Sequence, residues 1–223
     1  MLRIGGLQPL STIDFPGRLA AVVFLQGCPW RCGYCHNPGL LDADAPAALS
    51  WPALLDFLQR RRGLLDGVVF SGGEPSLQAG LPEAVATLRG LGFQVGLHSA
   101  GMYPRRLAAL LPLLDWVGLD IKAPWSQLDA LSGVPGSAAR VRDSLARLLE
   151  RARCAGLAYE CRTTWHPALY PEAALQALSG ELAGLGVQHW RLQRCRIDGR
   201  LAPAPDDAVL SRMAARFSTF ELR

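Results

Sequence analysis

Short apolar runs recur along the chain, and stretches with helical periodicity separate them. Leu19–Gly27 (LAAVVFLQG) is short, apolar and closed by glycine, which predicts a buried strand. Gly67–Gly73, Phe93–Ser99, Trp116–Lys122, Ala158–Trp165 and His189–Cys195 read the same way. Ser50 is positioned to cap a helix whose Leu54, Leu55 and Leu58 share one face and which ends before Gly63. Ser137–Gly156 puts Val141, Leu145 and Leu148 on one stripe and stops at a glycine. Further helices are expected over about Pro82–Arg89, Pro104–Leu111, Pro171–Leu182 and Asp206–Phe217. Asp42–Ser50 and Asp198–Asp207 read as surface loops.

Strands that are apolar throughout and alternate with helices predict a parallel sheet covered by helices. Six such units predict an α/β fold, a single-domain partial (β/α)6 barrel over residues 1–223, with parallel strands and one side open. No linker, repeat or low-complexity tract interrupts it. In parallel α/β sheets ligands bind at the C-terminal strand ends. Those ends carry the cysteine-rich stretch Gly27–Gly39, then SGGEP, HSAG, DIKAP, CRTTWHP and LQRCR, so all six are expected at one mouth.

Composition narrows the picture only slightly. Of 223 residues 50% are apolar and 19% charged, as in an ordinary globular protein. A net charge of +4 is too weak to imply nucleic acid. The longest apolar run, Leu19–Leu25, is far below a membrane span, and the N-terminus lacks an apolar segment of signal-peptide length. A cytoplasmic protein with reduced thiols is expected, with no membrane or nucleic-acid partner, and there clustered cysteines point to metal or catalysis.

The cluster is Cys28, Cys32 and Cys35, in GCPWRCGYCHNPG. Structural zinc takes four ligands, and only His36 is at hand as a fourth, which would make a non-catalytic zinc-binding adaptor. A cubane iron–sulfur cluster held by three thiolates leaves one iron open. The C-x3-C-x2-C pattern, with Tyr34 before the last cysteine, resembles the signature of the radical S-adenosylmethionine superfamily. The resemblance implies one three-Cys 4Fe–4S cluster whose open iron is chelated by S-adenosyl-L-methionine. Reductive cleavage then yields a 5′-deoxyadenosyl radical that abstracts hydrogen, and no side chain beyond the cluster ligands is catalytic. GLQPLSTIDFPG, RRGLLDGVVFSGGEPSLQ, VGLDIKAP and RTTWHP extend the resemblance to the anaerobic ribonucleoside-triphosphate reductase activating-protein family, which are glycyl-radical activases. That implies a glycyl-radical enzyme as partner, anaerobic ribonucleotide reductase in particular, and a flavodoxin- or ferredoxin-type electron donor. The competing reading is a radical enzyme acting on a small molecule, such as a 7-carboxy-7-deazaguanine synthase-like enzyme.

The same resemblance assigns cofactor contacts at the other strand ends. Gly72, Gly73 and Glu74 would hold the methionine ammonium, the glycines by close backbone approach. Asp120 and Lys122 share one side of a strand and would face the methionine carboxylate or a cation, although a surface ion pair has the same pattern. Tyr34 would offer its backbone to the adenine, Ser99 would reach the ribose, and Arg162 the carboxylate or ribose. Trp30 and Tyr34 would also shield the cluster. His98 replaces the Asp often found there, which puts a cation site in doubt, and a histidine satisfied by backbone bonds fits as well. His166 reads as a loop residue, and Gln193 and Arg194 would reach the cofactor or a target peptide. Cys154, Cys161 and Cys195 have no cluster spacing, and Arg60–Arg62 and Arg105–Arg106 read as solvated helix faces.

Overall fold

The computed structural model describes residues 2–197 and 199–223. In chain order it contains β1 (Ile4–Ser11), β2 (Ala20–Leu25), α1 (Trp51–Gln59), β3 (Gly67–Gly72), α2 (Leu81–Gly90), β4 (Gln94–Ser99), α3 (Pro104–Leu110) and β5 (Trp116–Asp120). Then follow α4 (Trp125–Ser132), α5 (Ser137–Ala155), β6 (Ala158–Trp165), α6 (Glu172–Gly184), β7 (His189–Arg194), β8 (Arg196–Ile197), β9 (Arg200–Leu201), α7 (Asp207–Ala214) and β10 (Thr219–Leu222). The main sheet runs β1-β2-β3-β4-β5-β6-β7-β10, and its two edges do not meet. β2 to β7 pair in parallel, each with the next. This is the expected open partial barrel of six β/α units.

Strands of such a sheet are buried on both faces, and β2 shows how. Ala21, Val23 and Leu25 join the large core under the helices, while Ala20 and Val22 turn inward to meet Phe15, Val69 and Trp116 inside the barrel. Period-two alternation therefore needs apolar residues at every position. On the far side the inward positions become charged: Arg191 of β7 pairs with Glu160 of β6 and Glu221 of β10.

Besides the short β8–β9 pair, three elements lie beyond the expected set. β1 is antiparallel to β2 at one edge, and its Gly5, Gly6 and Pro9 run against strand propensity. An edge strand tolerates proline because one row of its N–H groups pairs with nothing. β10 is four residues long and pairs in parallel with β7 at the other edge. α4 follows Pro124 and ends on Gly133 in the left-handed conformation. The predicted Asp198–Asp207 loop contains β9, and Asp198 itself lies outside the described residues, as does Met1. Among the described residues no helix is long and apolar enough to cross a membrane.

Candidate functional site

The cysteine loop leaves β2 and is closed at its base by Gly27 N–H to Leu40 O (2.8 Å) and Cys28 N–H to Leu41 O (3.2 Å). Arg31 anchors its crown. Its backbone N–H donates to Ser132 O at the end of α4, and its guanidinium donates to the carbonyls of Cys28 (2.7 Å) and Trp30 (2.9 Å). Cys28, Cys32 and Cys35 are half-buried free thiols on the wall of one cavity of about 200 Å³ at the C-terminal strand ends. Burial pushes the Cys28 thiol up to about 11 against a hydrogen bond from the Trp30 backbone N–H. It also raises Cys32, against the charge of Lys122. Both shifts favour the neutral thiol at Cys28 and Cys32, so a positive partner would be needed to ionise these two. Among the described residues no three His, Cys, Asp or Glu side chains form a group that could hold a single metal ion.

Asp120, Lys122 and Arg162 line the same cavity as the thiols. Asp120 and Arg162 are direct cross-strand neighbours in the β5–β6 register. The guanidinium donates to Asp120 Oδ1 through Nε (2.8 Å) and Nη2 (2.7 Å), and Lys122 Nζ lies 3.6 Å from Oδ2. Gly118 makes the room: a Cβ there would sit 3.1 Å from Arg162 Cζ. Burial alone would raise the Asp120 carboxyl, but Arg162 and then Lys122 hold it below the usual carboxylate range. Lys122 also lies over the rings of Trp30 (5.8 Å) and Tyr34 (5.7 Å). Two cations against one carboxylate leave this wall one unit positive.

His98 adds no charge. One ring nitrogen, Nε2, lies 3.0 Å from Asp14 O and the other, Nδ1, 3.3 Å from Ser71 Oγ, so a neutral Nε2–H tautomer satisfies both. Burial, and then the charge of Arg162, pushes its pKa down to about 3. Its edge meets Trp116, which stacks on Phe15 at 5.8 Å. The backbone-bonded reading of His98 describes this geometry.

Gly72 and Gly73 line the cavity, but the space that requires glycine lies on their other side. Gly72 has φ +118°, and a Cβ on it would lie 2.4 Å from Leu25 N and O. One on Gly73 would lie 2.3 Å from Gly27 O. The glycines thus seat β3 against the end of β2, a reason different from ligand approach. Glu74 is also placed differently. It is fully buried, does not line the cavity, and accepts from Ser76 N–H (3.1 Å), Ser76 Oγ, Ser99 Oγ (2.8 Å) and Ala100 N–H (2.7 Å). Its carboxylate braces the end of β3 to the end of β4. Burial raises its pKa against those four bonds.

Ten of the eleven predicted site residues therefore line one cavity: Cys28, Cys32, Cys35, Tyr34, Gly72, Gly73, Ser99, Asp120, Lys122 and Arg162, with Glu74 behind the wall. Gln193 also lines it, and Thr164 Oγ1 lies 3.4 Å from Gln193 Oε1. Sequence reasoning missed Asp14, Ser71 and Thr164, which carry no spacing signal. His166 accepts from Ala168 N–H within its own loop (2.9 Å). Cys161 and Cys195 are buried and Cys154 is exposed. Arg60 pairs with Asp56, and Arg61 lies over Phe57.

The open half-barrel thus gathers three loop thiols and a cationic wall at its C-terminal strand ends. The chain belongs to the radical SAM superfamily, whose family model matches residues 22–157. It is 27% identical over 182 residues to a Methanocaldococcus jannaschii protein named as a glycyl-radical enzyme activating enzyme, covering 79% of this chain and 73% of that one. It is 37% identical over 130 residues to the pyruvate formate-lyase-activating enzyme of Clostridium pasteurianum, covering 55% of this chain and 53% of that enzyme. The chain thus spans about half the length of that enzyme. Its fold is like the crystal structure of QueE from Escherichia coli, with TM-score 0.63 and 20% identity over 100% of this chain and 93% of that one. The superfamily implies a 4Fe–4S cluster and S-adenosylmethionine, and the donor set fits: three unpaired thiols for iron, and a wall of net positive charge for a carboxylate.

Proposed function

We propose that this protein installs a glycyl radical on a partner enzyme, as one radical S-adenosylmethionine domain over residues 1–223. The partner expected from the sequence resemblance is an anaerobic ribonucleoside-triphosphate reductase, and the electron donor a flavodoxin- or ferredoxin-type protein in the cytoplasm. The observation that carries the reading is the convergence of Cys28, Cys32 and Cys35 with Asp120, Lys122 and Arg162 on one cavity. The kinship to proteins named as a glycyl-radical enzyme activating enzyme and a pyruvate formate-lyase-activating enzyme supports the choice of partner class.

When bound, the cluster and S-adenosylmethionine supply one-electron cleavage to methionine and a 5′-deoxyadenosyl radical. Cys28, Cys32 and Cys35 would hold the cluster through their thiolates. Lys122 and Arg162, both paired with Asp120, would bind the methionine carboxylate. The backbone of Gly72 and Gly73 faces the ammonium, and Glu74 fixes that backbone instead of contacting the ligand. Ser99 spends its one proton on Glu74 and accepts from Gly101 N–H (3.0 Å), so toward a ribose hydroxyl it acts only as an acceptor. Tyr34 closes the adenine side through its backbone. No residue of the cavity is required to act as a general acid or base.

The test is anaerobic reconstitution with iron and sulfide, followed by dithionite and S-adenosylmethionine. Wild type forms 5′-deoxyadenosine, and Cys32→Ala forms none; equal yields from both would refute the assignment. Adding the reductase subunit then produces a glycyl-radical doublet by electron paramagnetic resonance. Its absence, with 5′-deoxyadenosine still formed, would point to a small-molecule substrate.

A further inference from the structure

Two side chains of the cysteine loop carry buried hydroxyl or N–H groups that meet no partner among the described residues. Trp30 is 2% exposed and its Nε1 has none, and neither has the hydroxyl of Tyr34. Indole is a donor only, and leaving such a donor unmet in the interior is unfavourable. The two other tryptophans buried as deeply are both satisfied: Trp165 Nε1 donates to Tyr170 O (3.0 Å) and Trp190 Nε1 to Thr163 Oγ1 (2.9 Å). Trp30 is thus the exception, and it lies between Cys28 and Cys32.

Its surroundings narrow the acceptor. Trp30 lines the cavity together with the three thiols, and its own backbone N–H already donates to the Cys28 sulfur. The charge over its ring is the ammonium of Lys122, which offers no lone pair. Arg31 holds the Trp30 carbonyl and ties the loop to α4, which fixes where the indole is presented. Asp120, the carboxylate on this wall, is taken up by Arg162 and Lys122, so the acceptor still missing is met by a sulfur-rich anion between the thiols.

We propose that the Trp30 indole N–H donates to a sulfur of the cluster held by Cys28, Cys32 and Cys35, making Trp30 a positioning residue that raises the cluster's reduction potential. The inference rests on the proposed function, since it needs the cluster. Reduction adds negative charge to the sulfurs, so a donor aimed at them stabilises the reduced state more than the oxidised one. Tyr34 is left to the cofactor.

The test uses anaerobically loaded protein without S-adenosylmethionine. Trp30 is replaced by β-(3-benzothienyl)alanine, which keeps the ring shape and has sulfur in place of N–H, and in a second variant by Trp30→Phe. Redox titration followed by electron paramagnetic resonance is expected to move the reduced-to-oxidised ratio about tenfold toward oxidised in both variants, about 59 mV for one electron. In wild type, exchange into D₂O shifts the Fe–S stretching bands in resonance Raman, and the analogue loses that shift. A cluster that loads equally and titrates at the same potential with and without the N–H overturns the inference and leaves the function intact, an ordered water being then the acceptor. Wild type that takes up no cluster overturns both. If Trp30→Phe fails to fold, the analogue and the D₂O shift decide.

Discussion

Replacing His98 with Gln removes a buried base that the fold keeps neutral. In the folded protein its pKa is about 3, against 6.5 for an ordinary histidine, and the first cause is burial. Between those values the unfolded chain binds a proton that the folded chain refuses, so stability rises with pH through this window and is lost as pH falls from about 6.5 toward 3. The size follows from linkage. At pH 5.0 the proton uptake favours unfolding by about 2 kcal/mol, and at pH 7.5 by less than about 0.1 kcal/mol. Wild type therefore loses about 2 kcal/mol more than His98→Gln when the pH drops from 7.5 to 5.0. Whatever the substitution costs at neutral pH cancels in that difference. Urea unfolding of the reduced, metal-free chain at both pH values, followed by tryptophan fluorescence, measures it. Parallel losses in the two proteins would refute the reasoning, because they would mean that His98 accepts its proton in the folded state.

Arg162→Ala leaves Asp120 facing only Lys122 and is expected to cost about 3 kcal/mol by denaturant unfolding, the low end for breaking a buried pair. It should also weaken S-adenosylmethionine binding to the loaded protein more than tenfold by calorimetry. Unchanged affinity would exclude Arg162 from the carboxylate site. Gly73→Ala drives a Cβ to 2.3 Å from a backbone oxygen of Gly27, which no rotamer can relieve. A loss of about 3 kcal/mol or more is expected, and already in the metal-free protein. A loss seen only in ligand binding would restore ligand approach as the reason for the glycine.

Much of this architecture is legible without coordinates. β2 to β7 announce themselves because a strand buried on both faces must be apolar at every position, as Ala20 to Leu25 are. β1 and β10 do not, since an edge strand can carry Pro9 or be as short as Thr219–Leu222 when a neighbour supplies its bonds. The thiols are equally legible, because their spacing is local. Glu74 is not. Its motif points to a ligand, whereas its carboxylate is consumed by Ser76, Ser99 and Ala100, two of them on the neighbouring strand's end.

The sequence by itself determined the open parallel half-barrel, the three-cysteine loop and the mouth at which polar strand ends collect, since each depends on neighbours within a few residues or on a strand period. Only the tertiary structure decided which groups meet. Asp120 and Arg162 stand 42 positions apart and touch because β5 and β6 pair in that register. His98 stays neutral, and the Trp30 N–H stays unmet, because desolvation belongs to the whole packed wall and not to any stretch of chain.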